Sequence, residues 1–76
     1  PNGAFPMILK TIAMNIRLHR VRRGWTQEVL GDLSGMERNQ IGLIERCEHQ
    51  PKVTTLEKVA AAFDIPITEL FKSTER

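Results

Sequence analysis

Four helix-breaking positions divide this chain into short segments whose apolar residues recur at helical spacing. Within the segments, apolar residues follow one another at intervals of three and four, which is typical of helices that bury one face. No segment shows the strict alternation of a half-buried strand. The breaks fall at Gly24, Gly35, Pro51 and Pro66. The sequence therefore predicts an all-α protein, a compact bundle of five short helices around one small core.

The bounds of the helices follow from capping residues and from the apolar spacing. Thr26 is a good N-cap for the second helix because its hydroxyl can accept a hydrogen bond from an otherwise unpaired backbone amide. Gly35 ends that helix, since glycine is free to take the positive φ that a tight turn needs. We expect the five helices at about residues 8–23, 27–34, 38–46, 53–63 and 67–72.

Apolar residues define the predicted inner faces. For the second, third and fourth helices these residues are Val29, Leu30, Leu33, Ile41, Ile44, Leu56, Val59, Ala60 and Phe63. The first helix is apolar on two sides. One side carries Ile8, Ile12 and Ile16, and the opposite side carries Met7, Met14, Leu18 and Val21. The second stripe is expected to pack against the last helix, with a second chain as the alternative.

The chain is too small to hold an enzyme core with a deep pocket. Its 76 residues form one domain at most, and a domain of this size buries only about 60% of its unfolded surface. The longest apolar run, residues 59–63, is far shorter than the roughly 20 residues of a membrane span. A single cysteine cannot form an internal disulfide, so a reducing cytoplasm is the expected compartment. Cys47 and His49 fall well short of a metal site, and no cofactor is expected.

Positive charge is concentrated at the start of the chain. Residues 1–26 carry five Lys or Arg and no acid, whereas residues 27–51 carry two against five acids. The net charge of +2 and the pI of about 9.2 permit a polyanionic partner without requiring one.

Residues 27–46 read as a helix, a glycine turn and a second helix. The absent side chain at Gly31 and the turn at Gly35 would let the two helices cross closely. The outer face of the second helix of this pair carries Arg38, Asn39, Gln40 and Leu43. Arginine pairs with guanine, asparagine and glutamine pair with adenine, and an apolar side chain can meet the thymine methyl group. This face is predicted to read DNA bases, with a plain solvated face as the alternative.

These residues resemble the phage-repressor (Xre/Cro-like) helix-turn-helix domains. Residues 20–28 match the family as Arg-Val-Arg-Arg-Gly-Trp-Thr-Gln-Glu. Further matches are Leu30, Leu33, Gly35, Ile41, Ile44, Glu45, Arg46, Pro51 and the stretches 56–60 and 68–71. The resemblance implies a lambda-repressor-like fold whose third helix enters the major groove. The chain is most similar to small stand-alone regulators such as the controller proteins of restriction–modification systems.

The family resemblance implies a role for further positions. The residues that would contact DNA phosphates are Gln27, Arg46, His49, Lys52 and Arg23. For Arg23 the alternatives are a plain surface charge and a favourable charge at a helix C-terminus. Arg20 and Glu45 match an internal ion pair that holds the first helix to the third. The residues of an expected homodimer interface are Ile67, Leu70 and Phe71, with closure of the monomer core as the alternative.

Together these features predict a sequence-specific DNA-binding transcriptional regulator rather than an enzyme. A homodimer would bind the two halves of a pseudo-palindromic operator on double-stranded DNA, about 34 Å apart. Glu28 and Asp32 are candidates for a contact with RNA polymerase. We expect residues 1–7 to be an extension, 8–72 the domain and 73–76 a tail; Met7 is a candidate natural start. The alternative function is an antitoxin-like protein-interaction module.

Three positions depart from the family pattern. Gly42 lies inside the third helix, where it costs up to about 1 kcal/mol of helix propensity. It would allow close approach to DNA, with a softened helix as the alternative. Cys47 stands where the family often has glycine, so a positive φ there would strain the backbone. His19 replaces a common core leucine and is expected to be a partly buried packing residue rather than a pH switch.

Overall fold

A computed structural model describes residues 7–73, and these form four α-helices and one 3₁₀ helix. The α-helices are α1 (Met7–Arg22), α2 (Gln27–Ser34), α3 (Arg38–Glu45) and α4 (Val53–Phe63). The 3₁₀ helix spans Ile67–Phe71. The all-helical prediction is confirmed for the described residues, but the count of five α-helices is not. The last segment is only five residues long, a length at which the tighter 3₁₀ turn is common. Expectations about residues 1–6 and 74–76 lie outside the described residues.

The core lies between packed helices: α1 contacts α3, α4 and the 3₁₀ helix, and α2 contacts α3 and α4. Leu30 of α2 is fully buried in it. Its ten clustered apolar residues are Ile12, Ile16, Leu30, Ile41, Ile44, Leu56, Val59, Ala60, Phe63 and Leu70. Most of the predicted inner-face residues are therefore buried. Val29 and Leu33 were predicted to face inward as well, but both are exposed. Because α2 is only eight residues long, it buries just Leu30, Gly31 and Ser34.

The second apolar stripe of α1 does not pack against the last helix. Its members Met7, Met14, Leu18 and Val21 are all exposed. The 3₁₀ helix contacts the opposite side of α1, where Ile12, Ile16 and Asn15 are buried. The expectation of packing against the last helix is therefore wrong, and nothing in residues 7–73 covers this apolar face of α1.

A buried asparagine, which the sequence patterns do not single out, holds the end of the chain against α1. The Asn15 side-chain amide donates hydrogen bonds of 2.8 Å to the carbonyl oxygens of Leu70 and Lys72. Asn15 is 4% exposed. A buried amide group must be hydrogen-bonded, and here its partners are carbonyls that the short 3₁₀ helix leaves free. This contact fixes the position of the segment after Pro66.

A second junction joins the ends of α1 and α4. Arg23 donates hydrogen bonds of 2.9 Å to the carbonyl oxygens of His19 and Phe63, and its guanidinium lies 4.9 Å from the Phe63 ring centre. His19 packs on the same ring, and burial, with the charges of Arg23 and Arg22, lowers the pKa of His19 below its usual 6.5. His19 is therefore a half-buried packing residue, as expected. Trp25 stacks on Phe63 as well, 5.7 Å between ring centres.

Cys47 follows α3 with φ of +60°, in the left-handed region that the family's glycine would occupy. Its half-buried thiol makes one long contact, 3.8 Å from Sγ to the Leu9 carbonyl oxygen. A side chain in this conformation costs about 1–2 kcal/mol relative to glycine. The expected strain is therefore present at this position.

Replacing Cys47 by glycine is expected to raise the free energy of unfolding by about 1 kcal/mol, because glycine adopts positive φ without a Cβ clash. Urea denaturation followed by circular dichroism measures the change. Cys47→Ala is the matched control, since it removes the thiol but keeps the Cβ atom. Equal stabilisation by both substitutions would show that the thiol, rather than the backbone conformation, is the source of the cost.

Candidate nucleic-acid interface

The turn between α2 and α3 fixes how α3 is presented. Thr26 caps α2 through a 3.1 Å hydrogen bond from the Val29 amide, and Gly35 ends the helix with φ of +73°. At Gly31 an added Cβ atom would lie 2.5 Å from the Met36 carbonyl oxygen. Only glycine at position 31 lets the chain after the turn approach α2 this closely. The two helices therefore cross in the manner predicted for a helix-turn-helix.

α3 buries Ile41 and Ile44 and turns its polar side outward. Arg38, Asn39 and Gln40 are exposed, whereas Leu43 is half-buried. The side-chain oxygen of Gln40, Oε1, accepts a 3.2 Å hydrogen bond from the Glu37 backbone amide, at the start of the helix. Arg38 and Asn39 make no side-chain hydrogen bond within residues 7–73. The structure therefore leaves Arg38 and Asn39 fully available to a ligand, while Gln40 is partly engaged in capping.

A buried ion pair holds α3 against α1. Arg20 donates from Nε and Nη2 to both carboxylate oxygens of Glu45, at 2.7 and 2.9 Å, and from Nη1 to the Trp25 carbonyl oxygen. The side chains of Arg20 and Glu45 are 13% and 4% exposed. The hydrogen bond to Glu45 raises the pKa of Arg20 above its usual value. This two-point contact fixes both the distance and the rotation of α3 relative to α1.

Gln27 joins the same network from the first turn of α2. Its side-chain Nε2 donates a 3.1 Å hydrogen bond to Glu45 Oε1. Its oxygen lies over Gly42, 3.3 Å from the position that a Cβ atom on Gly42 would take. The glycine inside α3 therefore makes room for Gln27, and also for Arg46, whose Nη1 lies 3.0 Å from the same position.

These side chains surround an open groove between α2 and α3. Its volume is about 530 Å³. Its lining residues are Arg20, Thr26, Gln27, Glu28, Arg38, Asn39, Gly42 and Arg46. The exposed Arg38 and Arg46 and the N-terminal ends of α2 and α3 face one concave surface, which favours an anionic or hydrogen-bonding ligand beside the single lining carboxylate of Glu28. The groove thus brings together Arg38 and Asn39 with Gln27 and Arg46, the predicted base-reading and phosphate-contacting residues.

Of the predicted phosphate contacts, Gln27 and Arg46 line this groove, whereas His49, Lys52 and Arg23 do not. Arg46 is exposed and pairs with Glu48 at 3.2 Å, a solvent-exposed bridge that a phosphate can compete with. His49 and Lys52 are exposed in the loop before α4. Arg23 is the exception, because its guanidinium donates to the carbonyls that end α1 and α4. These bonds favour a role for Arg23 at that junction over the predicted phosphate contact.

The predicted dimer-interface residues have different positions. Leu70 is 0% exposed and belongs to the monomer core, so its assignment to an interface is wrong. Leu70 is buried because α1 and α4 both pack against the 3₁₀ helix. Phe71 is 37% exposed and Ile67 is half-buried. Only these two of the three can contact another chain.

Other classes of site find no support in residues 7–73. No three His, Cys, Asp or Glu side chains converge on a point that could hold a metal ion. Across that range, every helix is too short or too polar to cross a bilayer.

Comparison with known proteins identifies the family. A family model described as Helix-turn-helix matches residues 16–70. A hypothetical transcription factor of Neisseria meningitidis is 36% identical over 59 residues, which are 78% of this chain and 56% of that protein. The control protein C.SmaI of Serratia marcescens is 33% identical over 66 residues, which are 87% of this chain and 79% of that protein.

A solved structure agrees with these matches. The crystal structure of the restriction-modification controller protein C.AhdI from Aeromonas hydrophila is similar with a TM-score of 0.82 and 33% identity, over 87% of this chain and 100% of that chain. The chain spans only 38% and 34% of two longer transcriptional regulators. The predicted resemblance to Xre/Cro-like domains and controller proteins is confirmed, and the chain belongs to the helix-turn-helix family.

Proposed function

We propose that this chain is a DNA-binding transcription regulator that recognises a specific operator. The observation that carries the proposal is the exposed side of α3, where Arg38 and Asn39 stand free while the buried Arg20–Glu45 pair fixes the helix behind them. A rigid helix with free arginine and asparagine side chains suits the major groove. The named relatives are transcription regulators and control proteins, not enzymes, which agrees with the expectation that this chain is no enzyme.

The two kinds of DNA contact divide among residues in the groove and beside it. Arg38 and Asn39 discriminate bases, with Gln40 and Leu43 beside them on α3. Phosphates are held by Arg46, His49 and Lys52, and by the backbone amide of Gln27 at the start of α2. Residues 8–72 act as the DNA-binding domain. The exposed acids Glu28 and Asp32 of α2 are the candidates for a contact with RNA polymerase.

Substituting Arg38 by alanine is expected to cost about 1–3 kcal/mol of specific binding and to relax the preference at one base position. Selection of bound duplexes from a random pool, followed by sequencing at two salt concentrations, gives the operator and that preference. An inverted repeat with half-sites about 34 Å apart is expected for a dimer. If Arg38→Ala weakens all duplexes equally, Arg38 is a phosphate contact.

The homodimer is proposed to form through the surface around Phe71 and Ile67. A phenylalanine that remains partly exposed beside a second apolar residue favours association, since a small bundle has few other places to bury it. The interface relates two copies by a two-fold axis, which matches the symmetry of an inverted repeat.

Phe71→Asp is expected to convert dimers to monomers in sedimentation, because a carboxylate would be buried unpaired at the interface. The fold should persist, since Phe71 lies at the surface of one chain. Met14→Asp, on the exposed stripe of α1, is the matched control and should leave the dimer intact. If Met14→Asp dissociates the dimer and Phe71→Asp does not, the interface lies on α1.

The exposed stripe on α1 supports a second candidate, a protein-interaction module of the antitoxin type. Met7, Met14, Leu18 and Val21 present apolar surface that no described residue covers. The random-pool selection separates the two functions. Salt-sensitive binding without enrichment of any sequence would favour the protein-interaction function over operator recognition.

A further inference from the structure

The orientation of the Gln27 side chain is fixed by hydrogen-bond chemistry. A carboxylate only accepts hydrogen bonds, so Glu45 can be approached by the NH₂ group of Gln27 and not by its oxygen. Glu45 cannot turn away, because Arg20 grips both of its oxygens at 2.7 and 2.9 Å. With Glu45 only 4% exposed, water competes little for this contact. The Gln27 oxygen must therefore point away from Glu45.

That oxygen faces the groove over Gly42. It lies 3.3 Å from where a Cβ atom on Gly42 would be, a separation that the missing side chain makes possible. Arg46 lies beside it but donates from Nε and Nη2 to Glu48 instead. Within residues 7–73, the bond to Glu45 is the only hydrogen bond of the Gln27 side chain. An acceptor atom thus stands in the groove without a protein donor.

DNA offers such an acceptor few partners. Phosphate oxygens carry no hydrogen, so they cannot donate to the Gln27 oxygen. In the major groove the donors are the N6 amino group of adenine and the N4 amino group of cytosine. We propose that the Gln27 side chain reads a base amino group and that Glu45 is the positioning residue that sets this preference. The proposal rests on the proposed function and adds a specificity determinant to it, while the Gln27 backbone amide keeps its phosphate role.

The test combines a protein change with deletion of the base amino group. Gln27→Met keeps the length of the side chain and removes its hydrogen-bonding atoms. Affinity is measured for the selected operator and for duplexes in which each adenine or cytosine near the groove is replaced, one at a time, by its analogue without the amino group. For the unsubstituted protein, one such replacement is expected to weaken binding about three- to tenfold, the range of a single hydrogen bond. For Gln27→Met, the same replacement should have no effect.

A matched control separates this coupling from a general loss of affinity. Gln50→Met makes the same chemical change at an exposed position outside the groove lining. It should leave the response to amino-group deletion as in the unsubstituted protein. Equal weakening of all duplexes by Gln27→Met, with every amino-group effect retained, would overturn the proposal and make Gln27 a phosphate contact. Failure to select any operator would instead count against the proposed function itself.

The positioning role of Glu45 is tested separately, by the base preference of the Glu45→Gln variant. In Glu45→Gln the new amide can donate as well as accept, so the Gln27 amide is free to turn over and present its NH₂ to the groove. The preference at that base is then expected to widen to guanine O6 or thymine O4, which are acceptors. A merely structural role would lower affinity for all duplexes and leave the preference unchanged. Circular dichroism confirms folding first, and if this variant unfolds the Gln27→Met comparison decides alone.

Discussion

Replacing Glu45 by alanine is expected to destabilise the domain by about 3–5 kcal/mol. The Arg20 side chain is 13% exposed in the intact pair, and the change leaves its guanidinium charged, with the Trp25 carbonyl oxygen as its one remaining hydrogen-bond partner among residues 7–73. A buried charge without its partner costs far more than the intact pair contributes. Single domains of this size have a free energy of unfolding near the lower end of about 5–15 kcal/mol. The variant should therefore be largely unfolded at modest urea concentrations.

The measurement is urea denaturation of the single variant and of the double variant Arg20→Met with Glu45→Leu. The double variant removes both charges and fills the space with apolar side chains, so it should recover most of the lost stability. It should nevertheless bind its operator poorly, because the two-point contact that sets the rotation of α3 is gone. A single variant as stable as the unsubstituted chain would mean that water reaches Arg20 freely.

How much of this fold the sequence predicts depends on the length of each helix. The spacing of Leu56, Val59, Ala60 and Phe63 predicts α4 at the observed bounds, because three full turns make the pattern unambiguous. In α2, two turns leave the inner face undetermined, and Val29 and Leu33 prove to be exposed. Short helices take their orientation from tertiary contacts that no local pattern contains.

The sequence predicts only part of the candidate site, because some roles there also depend on tertiary contacts. Arg38 and Asn39 follow from their positions on α3, and Arg20 with Glu45 follows from the family resemblance. The engagement of Arg23 depends on a carbonyl at the end of α4, 40 residues away in the chain. The orientation of the Gln27 amide depends on Glu45 of α3, which Arg20 of α1 holds in place. Contacts between distant segments therefore decide which polar residues remain free for a ligand.

Gly31→Ala and Gly42→Ala are the same chemical change in neighbouring helices and are expected to have opposite effects on stability. Either substitution adds up to about 1 kcal/mol of helix propensity. At position 42 the new Cβ would meet Arg46 Nη1 at 3.0 Å and the Gln27 oxygen at 3.3 Å. Both atoms are the far ends of flexible side chains that can move aside. Gly42→Ala should therefore raise the free energy of unfolding, by up to about 1 kcal/mol.

At position 31 the neighbours cannot move aside in this way. The new Cβ would lie 2.5 Å from the Met36 carbonyl oxygen and 3.2 Å from the Arg38 amide nitrogen, which are backbone atoms of the turn and of α3. Relief requires that α3 shift relative to α2, against the Met36 to Gly31 hydrogen bond of 2.8 Å. We expect Gly31→Ala to destabilise the domain by about 3 kcal/mol, at the upper end of overpacking costs.

Urea denaturation of both variants, with operator affinity measured on each, separates the two positions. Gly31→Ala should lose stability and, where still folded, lose affinity for all duplexes, because a shift of α3 moves Arg38 and Asn39 together. Gly42→Ala should keep or gain stability while changing the response to one base, since the displaced atom is the Gln27 oxygen. Equal changes in stability for both would mean that the α2–α3 crossing is looser than the 2.5 Å approach at Gly31 implies.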